Sequence, residues 1–226
     1  MALAAAIWDF GGVFTTSPFE AFNRHEAERG LPRDFIRQVN ASRPQDNAWA
    51  RFERAEIGPE EFDALFLEES RSLGHGLSGR EVLGLLAGAV RPRMVAALLA
   101  CKARFKVGCI TNNVATGHGR AMAADAGRGR QASEIFDLFD HVIESSKVGV
   151  RKPDPRIYRM MCEALKVEPR DCVYLDDIGV NCKGAASLGM RAIKVVSEDQ
   201  ALAELAALTG LEFEPAPDES RPEIAA

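Results

Sequence analysis

The chain has 226 residues, of which 46% are hydrophobic and 27% charged, and its formal net charge at pH 7 is -5. This length is enough for one large domain, or for a core domain with a smaller insertion, and a core of that size folds without disulfide bonds. Because acidic and basic residues are interspersed, no broad basic surface is expected, and we predict neither a nucleic-acid partner nor a membrane partner.

The first eight residues, "MALAAAIW", are apolar, but they lack a basic segment and are too short to cross a membrane. We therefore predict that they form a buried first strand. The five cysteines include no CxxC pair and no zinc-like spacing, which favours reduced thiols in a cytoplasmic protein, either a monomer or a homodimer. They are Cys101, Cys109, Cys162, Cys172 and Cys182.

Five short apolar runs are typical of strands in a parallel sheet covered by helices. In chain order they occupy residues 3–8, 105–110, 141–145, 172–175 and 191–196. Helical patterns occupy residues 91–103, 153–167 and 181–189, next to the later strands. The alternation predicts an α/β fold, a Rossmann-like core of three layers around a parallel sheet.

About ninety residues separate the first two predicted strands, too many for a simple crossover. Residues 18–88 show helical spacing broken by glycine and proline, and they contain no convincing strand. We predict a helical cap at residues 17–88, inserted into a catalytic core formed by residues 1–16 and 89–210. Residues 211–226, acidic and rich in proline, are predicted to be a flexible tail, and the cluster "GRGRQ" at residues 127–131 a solvated loop.

Chemically distinctive residues follow several predicted strands. Asp9 follows the first strand, Thr111 and Asn112 the second, Lys152 the third, and the pair Asp176 and Asp177 the fourth. Taken singly, such an aspartate is more often a turn or helix-capping residue, and a lone lysine is usually solvated. In open parallel sheets, however, ligands bind at the carboxyl ends of the strands, so their joint appearance there indicates a site.

Three carboxylates at one place repel one another, because two unit charges about 4 Å apart cost roughly 4 kcal/mol at an effective dielectric constant near 20. A hard divalent cation such as Mg²⁺, together with Lys152, would compensate for this charge. Such a centre suits a phosphoryl group. Gly11 and Gly12 would allow the backbone to approach that group closely.

Four segments, "WDFGGV", "ITNN", "VGVRKPDPRIY" and "YLDDIGVNCKGAASLGM", resemble in this order the four motifs of the haloacid dehalogenase (HAD) superfamily. The last two are similar to the branch that contains the N-terminal phosphatase domain of soluble epoxide hydrolases and the related domain fused to acyl-CoA dehydrogenases. The resemblance covers residues 3–196, and the helical insertion matches the cap domain of that branch.

The resemblance implies that Asp9 is the nucleophile, forming an aspartyl-phosphate, and also a Mg²⁺ ligand. The Gly11 carbonyl and Asp177 would be further ligands, with Asp176 in support. Phosphate binding would involve the Thr111 hydroxyl, the Asn112 backbone N–H and Lys152, the last of which offsets the charge, and Phe10 and Gly11 are placed in the same binding set.

Most HAD phosphatases carry a second aspartate two residues after the nucleophile, as general acid and base, but this chain has Gly11 there. Such proton transfer contributes about 10²- to 10⁴-fold in rate, so its loss need not abolish turnover. We predict a Mg²⁺-dependent phosphatase for a small phosphorylated metabolite, either slow or selective for good leaving groups. Two alternatives stay open: a non-catalytic homologue that binds a phosphorylated ligand, and a 2-haloacid dehalogenase.

The cap sequence leaves the substrate open. Trp49 and Phe52, near Arg51 and Arg54, either line a substrate pocket or serve only helix packing and surface charge. His25 is interpreted as cap surface and His118 as a loop residue, and neither convincingly replaces the missing aspartate. The cap is expected to open and close about two connections, near Thr15 and Arg91.

Overall fold

The computed structural model describes residues 3–114 and 126–214 of the chain. Its centre is a five-stranded, fully parallel sheet in the order β3-β2-β1-β4-β5. All five predicted strands are present, with ends shifted by at most two residues. They are β1 (Ala5–Trp8), β2 (Lys106–Thr111), β3 (His141–Glu144), β4 (Cys172–Asp176) and β5 (Arg191–Lys194).

The helices that follow β1 and precede β2 are α1 (Pro18–Glu28), α2 (Phe35–Ala41), α3 (Ala48–Glu53), α4 (Pro59–Ser72), α5 (Gly79–Leu83) and α6 (Pro92–Lys102). Those after β2 are α7 (Ala126–Phe136), α8 (Ser145–Val148), α9 (Pro155–Leu165), α10 (Gly179–Ala186) and α11 (Glu198–Thr209), with a 3₁₀ turn at Pro169–Asp171. The three helices predicted for the core correspond to α6, α9 and α10.

Helices cover both faces of the sheet, which explains why β1 and β4 are buried along their whole length. On one face, Met94 of α6, Phe136 of α7 and Leu205 of α11 pack against alternate strand residues such as Trp8. On the other face, α9 and α10 contribute Met161 and Ala185, among others. The predicted three-layer α/β core is therefore confirmed.

The sequence predicts a solvated loop at residues 127–131, but in the structure these residues are part of α7. The glycines and arginines that favoured a loop are followed directly by Ala132, Ile135 and Phe136, whose side chains pack into the core. This apolar face stabilises a helix that includes Gly127 and Gly129, whose intrinsic helix propensity is weak.

Helix α11 was not predicted at all. It begins with a capping box, in which the Ser197 side chain accepts a hydrogen bond from the backbone N–H of Gln200 and the Gln200 side chain accepts one from the backbone N–H of Ser197. Residues 211–214 are described without helix or strand, whereas residues 215–226 of the predicted tail and His118 lie outside the described residues.

Residues 17–88 contain five helices, α1 to α5, and these have an apolar cluster of their own that includes Phe22, Phe62 and Phe66. The chain enters and leaves this region side by side, because Thr15 and Val90 form an antiparallel bridge. The exact division into cap and core stays a prediction. No helix in the described part of the chain is long and apolar enough to cross a membrane.

Candidate active site

The strand order places the distinctive residues together. Central β1 pairs with β2 on one side and β4 on the other, and Trp8 stands opposite both Cys109 and Leu175. The next residues along each strand therefore lie side by side at the carboxyl edge of the sheet: Asp9, the residues leading to Thr111, and Asp176. Lys152 reaches the same place from the segment between α8 and α9.

Asp9 is buried at the centre of this cluster, with 7% of its surface exposed. Its Oδ1 accepts a hydrogen bond from the backbone N–H of Phe10 at 2.7 Å and lies 2.6 Å from the Lys152 ammonium. Burial raises the pKa of Asp9 well above its usual range; the Lys152 charge opposes this shift, and the Asp176 and Asp177 carboxylates add to it. A cation bound beside these carboxylates would favour the ionised form of Asp9.

Asp176 is a fully buried acceptor whose two oxygens are occupied by protein donors. Its Oδ2 accepts hydrogen bonds from the Lys152 ammonium at 2.8 Å and the Tyr174 hydroxyl at 2.5 Å. Its Oδ1 accepts the Ile178 backbone N–H at 2.7 Å, and the Asn181 amide lies 3.1 Å from both oxygens. Asp176 therefore anchors Lys152 and the start of α10.

Lys152 is 1% exposed. Burial disfavours its charge, but the attraction of Asp176 and then of Asp9 outweighs this effect and raises the pKa of Lys152 above its ordinary value. The ammonium therefore stays charged at neutral pH, close to the oxygens of Asp9.

Asp177 is less constrained than Asp176. Among the residues that the structure describes, the Ser17 hydroxyl donates to its Oδ2 at 3.0 Å. Burial, reinforced by the neighbouring Asp176, raises the pKa of Asp177 from 3.8 to about 6. Its carboxylate lies against the backbone of Gly12, where a Cβ atom would come within 2.1 Å of it.

The donor set fits a hard divalent cation. One carboxylate oxygen from each of Asp9, Asp176 and Asp177 can be chosen so that all three lie within 4.8 Å of one another. Oxygen ligands at this spacing suit Mg²⁺. Since protein donors already occupy Asp176, the carboxylates with most capacity for direct coordination are Asp9 and Asp177.

The remaining predicted residues lie around this cluster. Thr111, Asn112, Gly11 and Phe10 all line the adjoining cavity. The Asn112 side chain has a role that the sequence did not suggest: its Oδ1 accepts the backbone N–H of Lys152 at 2.9 Å, and its Nδ2 donates to the Lys152 carbonyl at 3.1 Å. The ring of Phe10 is largely buried and stacks on Phe136 at 4.2 Å.

A cavity of about 490 Å³ extends from Asp9 into the space between core and cap. Its walls are mainly apolar. On the cap side they include Phe19, Phe22, Trp49 and Leu86, and at the start of α10 they include Ile178 and Val180. The last two are exposed large hydrophobic side chains, 38% and 54% exposed, so the apolar surface continues to the outside.

Two interpretations were open for four cap residues: that they line a substrate pocket, or that they serve helix packing and surface charge. The structure assigns one of the four to the first and three to the second. Trp49 lines the cavity. Phe52 is buried in the cap cluster and stacks on Phe62 at 4.6 Å. Arg51 pairs with Glu61, and Arg54 pairs with Glu56, at the surface. Of the four, Trp49 is therefore the one in position to contact a substrate.

Several polar residues of the site were missed in the sequence, among them Ser17, Glu53 and Arg151. Ser17 contacts Asp177, and Glu53 and Arg151 line the cavity and form an ion pair with each other. Arg151 could have been singled out, because it precedes Lys152 in the third motif. Ser17 and Glu53 carried no signal, since each belongs to a helical pattern distant in sequence from its partner.

The comparison with protein families matches residues 3–189 to a model described as haloacid dehalogenase-like hydrolase. The chain belongs to this family. The match extends over β1 to β4 and the inserted helices, and it confirms the resemblance inferred from the four motifs.

Among curated HAD-like relatives, bifunctional epoxide hydrolase 2 of Sus scrofa is 33% identical over 94% of this chain and 40% of its own length. Acyl-CoA dehydrogenase family member 10 of Mus musculus is 31% identical over 91% of this chain and 19% of its own length. The chain thus spans less than half of either protein, and the predicted similarity to this branch is confirmed.

A solved HAD-family enzyme from Bacteroides thetaiotaomicron, in complex with magnesium and inorganic phosphate, aligns with a TM-score of 0.54. The alignment covers 85% of this chain and 93% of that one, at 18% sequence identity. A likeness at this level of identity supports the shared HAD-like fold.

Proposed function

We propose that this chain is a Mg²⁺-dependent phosphatase that hydrolyses a phosphomonoester through an aspartyl-phosphate on Asp9. The observation that carries the proposal is the Asp9 carboxylate, buried and 2.6 Å from the Lys152 ammonium, at the inner end of a cavity large enough for a small molecule. A buried carboxylate beside a fixed cation and further acids is suited to attack on a group that is itself anionic.

In the proposed reaction, an oxygen of Asp9 attacks phosphorus and the bond to the substrate oxygen breaks. The departing oxygen takes a proton, and an aspartyl-phosphate forms. Water then attacks phosphorus, the bond to the Asp9 oxygen breaks, and inorganic phosphate leaves. Because Oδ1 of Asp9 already binds Lys152 and the Phe10 N–H, we assign the attack to Oδ2.

The chain's own residues would hold the group in place. The Lys152 ammonium faces the phosphoryl oxygens, and the Thr111 hydroxyl and Asn112 N–H bind them. Asp9, Asp177 and the Gly11 carbonyl would hold Mg²⁺, which neutralises charge as the phosphoryl group is transferred. Closure of the cap would exclude bulk water from the first step.

The absent general acid shapes the choice of substrate. Around Gly11 a Cβ atom would meet nothing within 4 Å, so the second aspartate of other family members is replaced by open space that faces the cavity. The departing oxygen must then take its proton from water or from the substrate itself. This favours substrates with good leaving groups, and it predicts slow turnover of simple alkyl phosphates.

The cavity walls indicate an organic group that is largely apolar. The cap contributes Phe19, Phe22, Trp49 and Leu86, and apolar groups transferred from water to such a wall gain roughly 25 cal/mol per Å² buried. The opening beside Ile178 and Val180 would let a longer apolar group extend outward. The proposed partner is therefore a small phosphorylated metabolite with an apolar body.

The decisive experiment measures phosphate release from a panel of phosphomonoesters. The panel contains glycerol phosphate, alkyl phosphates of increasing chain length, and aryl phosphates. We expect Mg²⁺-dependent release, kcat/KM that rises with apolar length, and faster turnover of the aryl esters. Asp9→Asn should abolish release, whereas Asp199→Asn, an exposed acid paired with Arg93, should leave it unchanged.

Two further measurements, of ligand binding and of chloride release, test the two alternatives. Ligand binding without release, unchanged by Asp9→Asn, would favour a non-catalytic phosphate-binding protein and contradict the proposal. Chloride release from a 2-haloacid without metal would favour a dehalogenase. The paired acids Asp176 and Asp177, which a metal-free dehalogenase does not need, argue against the latter.

A further inference from the structure

Glu53 is a buried cap carboxylate to which the proposed mechanism gives no role. It is the last residue of α3 and is 6% exposed. Its Oε1 accepts a hydrogen bond from the Trp49 indole at 2.8 Å, and its Oε2 accepts one from Arg151 Nε at 2.5 Å. Both oxygens are therefore held in fixed directions at the wall of the cavity.

This ion pair crosses from cap to core. Among the side chains that the structure describes, it is the one ion pair that joins residues 17–88 to the rest of the chain, and pairs such as Arg51 with Glu61 stay within the cap. Arg151 makes a second crossing, since its Nη1 donates to the Pro44 carbonyl at 2.9 Å. One guanidinium thus binds the cap at two places.

Arg151 is also the residue directly before Lys152. The Lys152 backbone is held by the Asn112 side chain, and its ammonium lies between Asp9 and Asp176. A displacement of Arg151 by even one ångström would therefore reach the Lys152 backbone through a single peptide unit. Misplacement of that size can cost about 100-fold in rate at a catalytic group.

The two partners of the pair differ in burial. With the cap seated, Glu53 is buried against the Arg151 side chain, which is 18% exposed, so removal of the Arg151 charge would leave a buried carboxylate uncompensated. With the cap displaced, both charges can be hydrated. The pair therefore favours the seated cap only while both partners are present, whereas ordinary apolar packing of the cap would not depend on a charge in the core.

From this geometry we infer that Glu53 is a positioning residue, which locks the seated cap onto the segment that carries Lys152, so that closure of the cavity and placement of the ammonium occur together. The inference rests on the proposed phosphatase function for its kinetic consequence alone. The structural consequence, a cap held down by Glu53 and Arg151, can be tested without any substrate.

The first test uses the fluorescence of Trp49, which contacts Glu53, whereas the only other tryptophan, Trp8, is fully buried. Acrylamide should quench Glu53→Gln and Arg151→Gln more strongly than wild type, because the cap opens more often. Glu61→Gln, which removes a cap-internal pair on Arg51, is the matched control and should quench like wild type. Equal quenching in all four proteins would overturn the inference.

The second test is a single-turnover measurement of phosphoryl transfer with the best substrate of the panel. Each single variant should lose about 10- to 100-fold in rate. The double variant Glu53→Gln with Arg151→Gln should be no slower than either single variant, because the two residues act as one unit. Additive losses would contradict the inference.

The two proposals fail in different ways. If wild type releases no phosphate but the quenching results hold, the phosphatase function is wrong and the role of Glu53 in seating the cap stands. If wild type is active and both variants retain full rate, the function stands and Glu53 is merely structural. A circular dichroism spectrum and melting curve for each variant exclude misfolding as the cause of any change.

Discussion

Asp176 and Asp177 are adjacent in sequence but occupy opposite kinds of environment. Within the described part of the chain, Asp176 accepts hydrogen bonds from Lys152, Tyr174 and two other donors, whereas Asp177 accepts one, from Ser17. Burial and the repulsion of Asp176 raise the pKa of Asp177 to about 6. Asp176 therefore serves as a fixed anchor, and Asp177 has capacity left for a cation.

The raised pKa of Asp177 predicts an inverted pH dependence of stability. In the unfolded chain this group titrates near 3.8 and in the folded chain near 6, so its favourable contribution is complete below 3.8 and is lost as the pH rises through 6. In EDTA, Asp177→Asn should therefore melt at a higher temperature than wild type at about pH 7.5 and show little difference at about pH 4.

Mg²⁺ should reverse this difference. A cation that binds the ionised carboxylates stabilises the folded state above about pH 6 and has less effect below it. We expect Mg²⁺ to raise the Tm of wild type at about pH 7.5 but not that of Asp177→Asn. A rise of equal size in both proteins would show that Asp177 is not a ligand.

Gly11 and Gly12 give contrasting predictions at neighbouring positions. Gly11 faces open space, so Gly11→Asp should fold and supply the missing proton donor. We expect it to speed hydrolysis of alkyl phosphates by about 100-fold and to change aryl phosphates little, because aryl leaving groups need no proton. Phosphate release from both substrate types measures this, and an equal change in both would contradict the explanation.

Gly12, in contrast, cannot accept a side chain. Its φ of +73° is unfavourable for other residues, and a Cβ atom would overlap the Asp177 carboxylate at 2.1 Å. Gly12→Ala should therefore displace Asp177 and remove the Mg²⁺-dependent rise in Tm. Gly11→Ala is its matched control and should retain that rise.

At the scale of elements, the turn from β4 into α10 is held by Asp176. Its oxygens accept hydrogen bonds from the Ile178 backbone and the Asn181 side chain at the start of the helix, and from Tyr174 within the strand. The same carboxylate binds Lys152, so strand, helix and the segment before α9 meet at one buried group. Loss of its charge would affect all of them together.

Asp176→Asn should therefore destabilise the protein strongly. An amide cannot balance the buried Lys152 charge, and removal of one partner of a buried pair costs about 3 to 5 kcal/mol. Urea unfolding in EDTA should show this loss, in the opposite direction from the effect of Asp177→Asn. Should the two variants shift in the same direction, the assignment of anchor and ligand would be wrong.

At the scale of the whole molecule, cap and core are joined by two connecting segments that run side by side. Thr15 bridges Val90, the backbone N–H of Thr16 donates to the Ala89 carbonyl, and the backbone N–H of Arg91 donates to the Phe14 carbonyl. Arg91 also donates from its side chain to the Gly12 carbonyl at 2.7 Å, which ties the connection to the site. Motion of the cap therefore passes through a short, hydrogen-bonded junction.

The junction is tightest at Gly88, where a Cβ atom would lie 2.5 Å from the Thr16 carbonyl oxygen. Gly88→Ala should force the two connections apart and shift the cap, lowering kcat with little change in Mg²⁺ affinity. Gly58→Ala, at a cap position with no atom closer than 3.9 Å, is the control and should keep normal kcat. A normal kcat for Gly88→Ala would mean that the junction tolerates separation.

The local sequence was sufficient for those features that depend on neighbouring residues. Each apolar run became a strand of the sheet, and the helical spacing of the insertion became α1 to α5. Residues 127–131 and helix α11 were exceptions, and at residues 127–131 the reason is that the apolar face that stabilises α7 begins only at Ala132. The acids at the strand ends could be expected to meet, since parallel strands share one carboxyl edge.

What the sequence by itself determined is thus the α/β core, the inserted helices and the set of acids with Lys152. Only the tertiary structure decided that protein donors occupy both oxygens of Asp176 but leave capacity on Asp177. It also decided that the Asn112 side chain hydrogen-bonds the Lys152 backbone, and that Glu53 pairs with Arg151. Each of these depends on contacts between segments far apart in the chain, and their geometry is set by the packing of helices on the sheet, which no local pattern encodes.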